Sequence, residues 1–573
     1  MKKIKAVLII FFSMMFFLAS FVGINAEAAE SNDDNRKAEH GIPVLYFDID
    51  ESKGTIQAMN SSPDHSAECY GSVSIKVPQG YTSEYTDEEI KDMDDLKLEY
   101  VRGRGTSSWF IPDKKPYKVK LDKGVDLFGM GKNKHWVLLA NALDSTNLRN
   151  KVTYWIGQEM GMDYVSKSIP VEVVMNGEYY GLYYLTEQVR VGKTRVNIDE
   201  LKEKDDSQDK ISGGYLLAMD PDNQSVTDEM FTTTRDVKFE YDTPDFLEYS
   251  NDVQRNYICN YLQKTENAIF GQDFKDENGV SYKDYMDLQS AVDYWLIQQF
   301  TRNGDGFRTS STYLYKKRDG KLYWGPIWDF DVSTYGDLSQ EFADTEGFNP
   351  SMVWFERMKK DEDFVSLVKE RWNLMYEKLL ELTATDGPID VHYNAIKVAE
   401  KYNAEKWSSD AGTGTFAGDV EVLKLWIDKR REWINNNLDK AFDLFPIYEY
   451  QWIDGQWYDI NGSDYYQAKG SWKQNDKGWW FEDSSGWYAK NGWYKIDFTW
   501  YYFDQNGYMV SDSWKDGYYL SKDGGLKDFA KGQWKKNDTG WYYEDSLNWY
   551  PVDCWQKIDE SWYYFNSNGY WEE

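Results

Sequence analysis

Along residues 42–121, apolar and polar positions alternate in short runs. Ile42–Asp48, Thr55–Met59, Gly71–Val77, Leu96–Val101 and Lys115–Leu121 read as strands, and the acidic stretch Tyr85–Asp95 as a short helix or loop. In the last strand Tyr117, Val119 and Leu121 share one face, and Lys118 and Lys120 the other. The period then changes. Asp144–Met160 reads as a helix capped by Asp144 or Ser145, with Val152, Trp155, Ile156 and Met160 inward. Val171–Met175 and Tyr179–Leu185 form a hairpin around Asn176-Gly177, a strong turn signal. After a strand at Gly213–Met219, helical periodicity runs through Phe246–Phe270, Tyr282–Phe300, Asp361–Leu382, Val391–Lys406 and Asp419–Phe442. In the last of these Leu423, Leu425, Trp426 and Ile427 point mostly inward. The pattern is α+β: a β-rich half followed by a helix-rich half.

One polar stretch interrupts the helices. Asp305 lies in a loop, Thr312–Lys317 is a strand, Arg318-Asp319-Gly320 a turn, and Lys321–Trp328 a returning strand that ends in Asp329-Phe330-Asp331. With the turn centred on Asp319, paired residue numbers sum to roughly 638 in an antiparallel ladder. Asp329 then lies opposite Thr309 or Ser310, and Asp305 shares the open end with Asp329 and Asp331. Acids and hydroxyls at one mouth suit a hard cation such as Mg²⁺, and an acid there suits a base for a substrate hydroxyl. Asp305 and Asp319 are equally ordinary as turn residues, and the acids after Trp328 as a strand end.

From about Tyr448 the chain turns to Trp, Tyr, Gly, Asp and Lys; the protein holds 26 Trp and 45 Tyr, concentrated at this end. A segment starting at Gly470 recurs at Gly532, 62 residues on, and contains a shorter unit of about 20 residues. Each unit reads as a hairpin too small to bury its own rings, so units stack. A net charge of −32 argues against nonspecific nucleic-acid binding. Residues 1–28 read as a secretory signal: Lys2, Lys3 and Lys5, an apolar run Ala6–Val22, and small residues Ala26 and Ala28 at a cleavage site. An uncleaved anchor is the rival reading. Residues 29–40 form a polar leader. Cys69, Cys259 and Cys554 imply neither a disulfide framework nor a thiolate site, and His40, His65, His135 and His392 lack metal-ligand spacing.

The loop, hairpin and acids resemble the active end of protein kinases. More specifically, RGRGTSSW from Arg102, then KKPYKVKLDK, WVLLANALDSTNLRNKV, VMNGEYYGLYYLTEQV, NGD and WDFD, in that order, resemble the CotH family of spore-coat-type atypical protein kinases. The resemblance implies a two-lobed kinase-like domain over residues 41–445 that transfers the ATP γ-phosphate to Ser or Thr hydroxyls of a protein, with Mg²⁺ or Mn²⁺. The family's catalytic Asp maps onto Asp305 and its metal Asp onto Asp329, with Asp331 as alternate and Ser310 beside them. Arg104, Gly105 and Ser107 would steady phosphate. So would a lysine: Lys120 in preference, then Lys118, then Lys115. Glu187–Val189 would border the base, Glu159 would pair with the lysine, and Arg149 would meet phosphate or an acid such as Glu187. This chain departs from the family where Thr309, Ser310, Ser311 and Thr312 replace a metal-binding Asn, and where Arg104-Gly105-Thr106-Ser107 replaces RGN-S.

Residues 446–573 resemble choline-binding or glucan-binding cell-wall repeats. Trp493, Trp500, Tyr501 and Trp514 in one copy, and Trp534, Trp541, Tyr542, Trp555, Trp562 and Tyr563 in the other, match rings that cage a quaternary ammonium. The same rings also suit an inter-repeat core. The expectation is a secreted, wall-surface kinase binding a choline-bearing or glucan polymer, with no membrane anchor after cleavage. An inactive coat or surface scaffold, or an adhesin, is the alternative.

Overall fold

A computed structural model describes residues 39–219, 230–235, 237–246, 251–304, 311–336, 345–349, 351–407 and 413–442. In the C-terminal part it describes 450–453, 456–459, 465–466, 470–483, 488–496, 499–537, 539–545, 550–559 and 561–572. The expected signal and nearly all of the leader lie outside the described residues.

The first half is a closed barrel. Its strands are β1 (Val44–Ile49), β2 (Glu68–Lys76), β3 (Met93–Gly103), β4 (Tyr117–Asp126), β5 (Lys132–Leu139), β6 (Ser168–Met175) and β7 (Glu178–Glu187). Their order is β1-β2-β3-β4-β5-β7-β6, and β6 returns to pair in parallel with β1. Closure leaves no edge strand. Alternate residues fill the interior, among them Leu45, Phe47, Val73, Val119, Trp136 and Val173. The β-rich part expected from alternation is therefore a barrel. It includes one strand the pattern did not show: β5 opens on Lys132-Asn133-Lys134-His135, and this polar start obscures its buried end.

Two local expectations change. Thr55–Met59 is not a strand but the start of helix α1 (Ile56–Asn60), because the Thr55 hydroxyl accepts the Ala58 N–H at 3.1 Å. After the short α2 (Ser107–Phe110), helix α3 spans Arg149–Glu159 rather than starting at Asp144. The Asp144 carboxylate still serves it from outside, accepting the Arg149 N–H at 2.9 Å. Asn176 and Gly177 both have positive φ, 48° and 83°, as a two-residue type I′ hairpin requires.

The second half packs helices against a five-stranded sheet. The strands are β8 (Tyr215–Met219), β9 (Met230–Thr232), β10 (Lys238–Thr243), β11 (Thr312–Lys316) and β12 (Leu322–Trp324), in the order β12-β11-β8-β10-β9. The β11–β12 pairs Leu314–Trp324, Tyr315–Tyr323 and Lys316–Leu322 have the register expected of a turn at Asp319. Strand β12 stops early because Pro326 has no N–H to give the ladder. The helices are α4 (Gln208–Ile211), α5 (Asp252–Phe270), α6 (Tyr282–Tyr285), α7 (Leu288–Thr301), α8 (Val353–Met358), α9 (Glu362–Thr383), α10 (Pro388–Lys406) and α11 (Phe416–Asn437). The expected helix Tyr282–Phe300 is thus two, split where Asp287 caps α7 by accepting the Ser290 N–H. Helix α7 is buried almost all round, and Trp295, Trp324, Trp372 and Trp426 belong to the surrounding core.

The tail consists of short hairpins, including Gly470–Asn475 with Gly478–Asp483, Gly492–Ile496 with Thr499–Phe503, and Cys554–Ile558 with Ser561–Phe565. Its repeat is structural. Trp472 packs on Phe481, Tyr501 and Phe503 with centroids 5.4, 4.7 and 5.8 Å away. Trp534 packs on Tyr543, Tyr563 and Phe565 at 5.4, 4.8 and 5.7 Å. Among the described residues no helix is long and apolar enough to cross a membrane.

Gly71 marks a point where the barrel tolerates no side chain. Its φ is +144° at a register shift in β2, and a Cβ would lie 2.0 Å from the Asp48 carbonyl oxygen. Gly71→Ala is expected to destabilise the protein by about 1–3 kcal/mol through forced backbone displacement, read as a lower thermal midpoint in circular dichroism.

Candidate functional site

The barrel and the second sheet share a cavity of about 310 Å³. The end of β3 runs into Arg104 and Gly105, which form one wall with Lys118 of β4. Gln188 and Val189, just past β7, form another wall, and Asp242, Tyr313 and Trp328 come from the second half. Glycine is required at the turn. A Cβ on Gly103 would meet the Trp109 ring of α2 at 2.4 Å, and Gly105 has φ +85°. The Arg104 guanidinium lies 5.6 Å from the centroid of Trp328. Arg102 donates to the His65 carbonyl at 3.4 Å, and its Nε is buried without a hydrogen-bond partner among the described residues. Burial, together with Arg102 and Arg190, holds the Lys118 ammonium down to about 8. A cavity that gathers cations in this way suits an anion such as phosphate.

Trp328 leads directly into the acids. Asp329 has φ +70°, and its Oδ2 accepts the Ser311 hydroxyl at 2.8 Å. Asp331 is buried, and desolvation followed by the adjacent Asp329 carboxylate raises its pKa well above the carboxylate range. Tyr154, stacked on Trp328 at 6.2 Å, has a buried hydroxyl with no hydrogen-bond partner among the described residues, and feels the charges of Asp329 and Asp331.

Helix α3 fixes this segment. Asn150 Oδ1 accepts the Phe330 N–H at 2.8 Å, Arg149 Nη2 donates to the Gly336 carbonyl at 3.3 Å, and the Thr153 and Tyr335 hydroxyls lie 2.7 Å apart. From the other side the Gly304 N–H donates to the Ser333 carbonyl at 3.1 Å. The stem of the Asp305 loop is thereby tied to the segment carrying Asp329 and Asp331. Asp305 and Ser310 themselves lie outside the described residues. Among the described residues no three His, Cys, Asp or Glu side chains form a cation cluster. Asp329, Asp331 and the Ser311 hydroxyl are hard oxygen donors, a set that fits Mg²⁺ or Mn²⁺ sharing its shell with water and phosphate.

Several expected residues stand elsewhere. Lys120 forms an ion pair with Glu99 at 2.6 Å and does not line the cavity; Lys118 does. Lys115 donates to the Trp109 and Pro112 carbonyls, a turn-stabilising role. The Glu187 carboxylate is committed to Arg195 and the Lys167 N–H, and burial lifts its pKa to about 7. Gln188 and Val189 border the cavity instead. Glu159 pairs with Lys378 at 2.8 Å, and Arg149 meets Asp144 rather than Glu187. Ser107 begins α2 and does not line the cavity. Arg102, Asn150, Tyr154 and Asp242 were not legible as site residues, since each sits on an ordinary strand or helix.

In the tail Trp493, Trp500 and Trp514 are buried core rings rather than walls of an open cage. Trp493 packs on Tyr518 at 5.9 Å and donates to Asp516 Oδ2 at 3.0 Å. Tyr501, Trp534 and Tyr563 belong to the repeated ring clusters, and Tyr542 lies 6.0 Å from Tyr570. Trp541, Trp555 and Trp562 are exposed, the last two at 64% and 61%.

Asn150→Ala is expected to leave the Phe330 N–H buried and unpaired. A stability loss of about 1–3 kcal/mol should follow, with faster hydrogen exchange concentrated in residues 329–336; an unchanged exchange pattern there would show that α3 does not hold the segment.

A family model described as CotH kinase protein matches residues 101–434, more than half of the chain, and one described as putative cell wall binding repeat matches 491–509 and 555–570. No curated protein matches. Among solved structures, the chain is similar to the modular Cpl-1 endolysin complexed with a peptidoglycan analogue, at 37% identity over 18% of this chain and 30% of that one, TM-score 0.11. It is also similar to the modular autolysin LytC from Streptococcus pneumoniae, at 29% identity over 21% and 28%, TM-score 0.12. A third similarity is to the choline binding domain of Spr1274 in Streptococcus pneumoniae, at 23% identity over 15% and 99%, TM-score 0.10. The chain thus spans under a third of the endolysin and of the autolysin. It is a member of the CotH kinase protein family that carries cell wall binding repeats at its C-terminal end.

Proposed function

We propose that this protein is a secreted, wall-associated kinase of two-lobed, kinase-like architecture that transfers the γ-phosphate of ATP to Ser or Thr hydroxyls of a protein. The observation that carries this reading is the cationic cavity at the Gly turn, adjoining the Asp329–Asp331 pair through Trp328. Arg102, Arg104 and Lys118 hold phosphate oxygens, and Gln188 and Val189 border the base. Asp329, with Asp331 beside it, holds the cation. Asp305 accepts the proton of the acceptor hydroxyl. Bound ATP with Mg²⁺ or Mn²⁺ supplies the phosphoryl group and the divalent charge that neutralises it. The repeats hold the domain on a choline-bearing or glucan polymer of the wall.

A second reading, a nucleotide-binding surface scaffold without turnover, is favoured by Thr309–Thr312 standing where the family has a metal-binding Asn. Hydroxyls are weaker cation ligands than the Asn carbonyl.

Incubation of the mature chain with γ-labelled ATP, Mg²⁺ or Mn²⁺ and an acceptor protein is expected to label the acceptor. Asp305→Ala and Asp329→Ala should each abolish labelling while leaving the circular dichroism spectrum intact. Wild-type labelling by either variant would remove that residue from its role, and nucleotide binding without labelling would select the scaffold.

The depressed Lys118 gives a pH dependence. Above about 8 the free protein loses this positive charge, so ATP binding there requires proton uptake and weakens. The Kd for ATP is expected to rise by up to about ten-fold per pH unit between 8 and 9, and Lys118→Arg to flatten the rise. A Kd independent of pH in the native chain would argue against Lys118 as a phosphate ligand.

A further inference from the structure

The cavity's cations face an acid that nothing in the phosphate-binding role explains. Asp242 lies in β10 where the pairing with β8 slips: Tyr241 pairs with Leu217 and Thr243 with Leu216, leaving Asp242 between them without a partner position. Such a bulge re-aims one side chain, here into the cavity. The carboxylate takes the neighbouring Thr243 hydroxyl at 3.2 Å and forms no ion pair within 4.0 Å among the described residues. Its side chain is exposed where it enters the cavity, and the charges of Arg190 and Lys118 favour its ionised, acceptor-only form. The other acid at the cavity, Asp64, differs: its Oδ1 is occupied by the Ser62 and Ser66 hydroxyls at 2.9 and 2.7 Å.

An acceptor with spare capacity, turned into a cavity that otherwise gathers cations, can take a donor from a bound ligand. Phosphate oxygens carry none and are repelled by a carboxylate. A nucleotide's neutral donors are its ribose hydroxyls and, in adenine, the exocyclic amine; a carboxylate on a ribose hydroxyl is a recurrent arrangement in nucleotide sites. We propose that Asp242 accepts a hydrogen bond from a ribose hydroxyl or base amine of the bound nucleotide and thereby sets which nucleotide the cavity prefers. This rests on the cavity being the nucleotide site. It divides the cavity by charge: the Arg102–Lys118 side takes phosphates, and the Asp242 side takes the nucleoside.

Calorimetric binding to the full mature chain in Mg²⁺ tests it, with ATP, 2′-deoxy-ATP, 3′-deoxy-ATP and ITP against the native protein, Asp242→Asn and Asp242→Ala. The native chain should bind at least one analogue about ten-fold more weakly than ATP. A deoxy analogue identifies the ribose as the donor, and ITP the base amine. Asp242→Ala should erase that preference, with the isosteric Asn variant as a folding-safe second reading. Equal affinity of the native chain for all four nucleotides, or an unchanged preference in both variants, overturns the role of Asp242 while leaving the nucleotide site standing. Failure of the native chain to bind any nucleotide overturns the nucleotide-site reading, and this proposal with it.

Discussion

The candidate site depends on the grip of α3 on residues 329–336. Arg149, Asn150 and Thr153 lie in the first five residues of that helix and reach Gly336, Phe330 and Tyr335. The helix in turn is seated by Asp144, whose buried carboxylate takes the Thr146 and Arg149 N–H groups. Each bond satisfies a group that burial would otherwise leave unpaired at a cost of about 1–3 kcal/mol. An element inserted between barrel strands thus positions acids that belong to the second half. Neither half presents the site alone.

Two unbalanced clusters of opposite sign sit beside each other across Trp328. On one side Arg102 and Arg190 depress Lys118; on the other Asp329 helps to raise Asp331. Each is unfavourable by itself, since like charges in a partly buried space raise one another's energy. In the function proposed above, a ligand carrying phosphates toward the cations and a divalent ion toward the acids would relieve both. Perturbed groups of this kind concentrate where proteins bind and react.

The tail shows how burial can separate residues with the same place in a repeat. Trp493 and Trp555 stand 62 residues apart in equivalent hairpins, and each packs on the tyrosine of its partner strand at 5.5 Å. Trp493 is 6% exposed because Tyr518 and Leu520 of the following hairpin belong to the cluster around it. Trp555 is 64% exposed and lacks that cover. Whether a ring is core or surface is therefore a property of its neighbouring unit.

Much of the local structure was legible in the sequence. Alternation marked most barrel strands, Asn176-Gly177 fixed one hairpin, Asp319 fixed the register of another, and the 62-residue repeat reappears in the ring clusters. These features are set by neighbours within a few residues or by repetition. Other features escaped it. Alternation placed Lys118 and Lys120 on one face but not which of them meets a distant loop; Glu99 takes Lys120 and the cavity takes Lys118. Thr55 reads as a strand residue until its hydroxyl caps a helix. Barrel closure by β1 and β6, the hold of Asn150 on Phe330, and the bulge that turns Asp242 inward join segments far apart in the chain. The sequence by itself determined the elements and their faces, because those follow from local period and turn chemistry. The tertiary structure alone decided which faces meet, because that depends on long-range pairing and burial that no short stretch encodes.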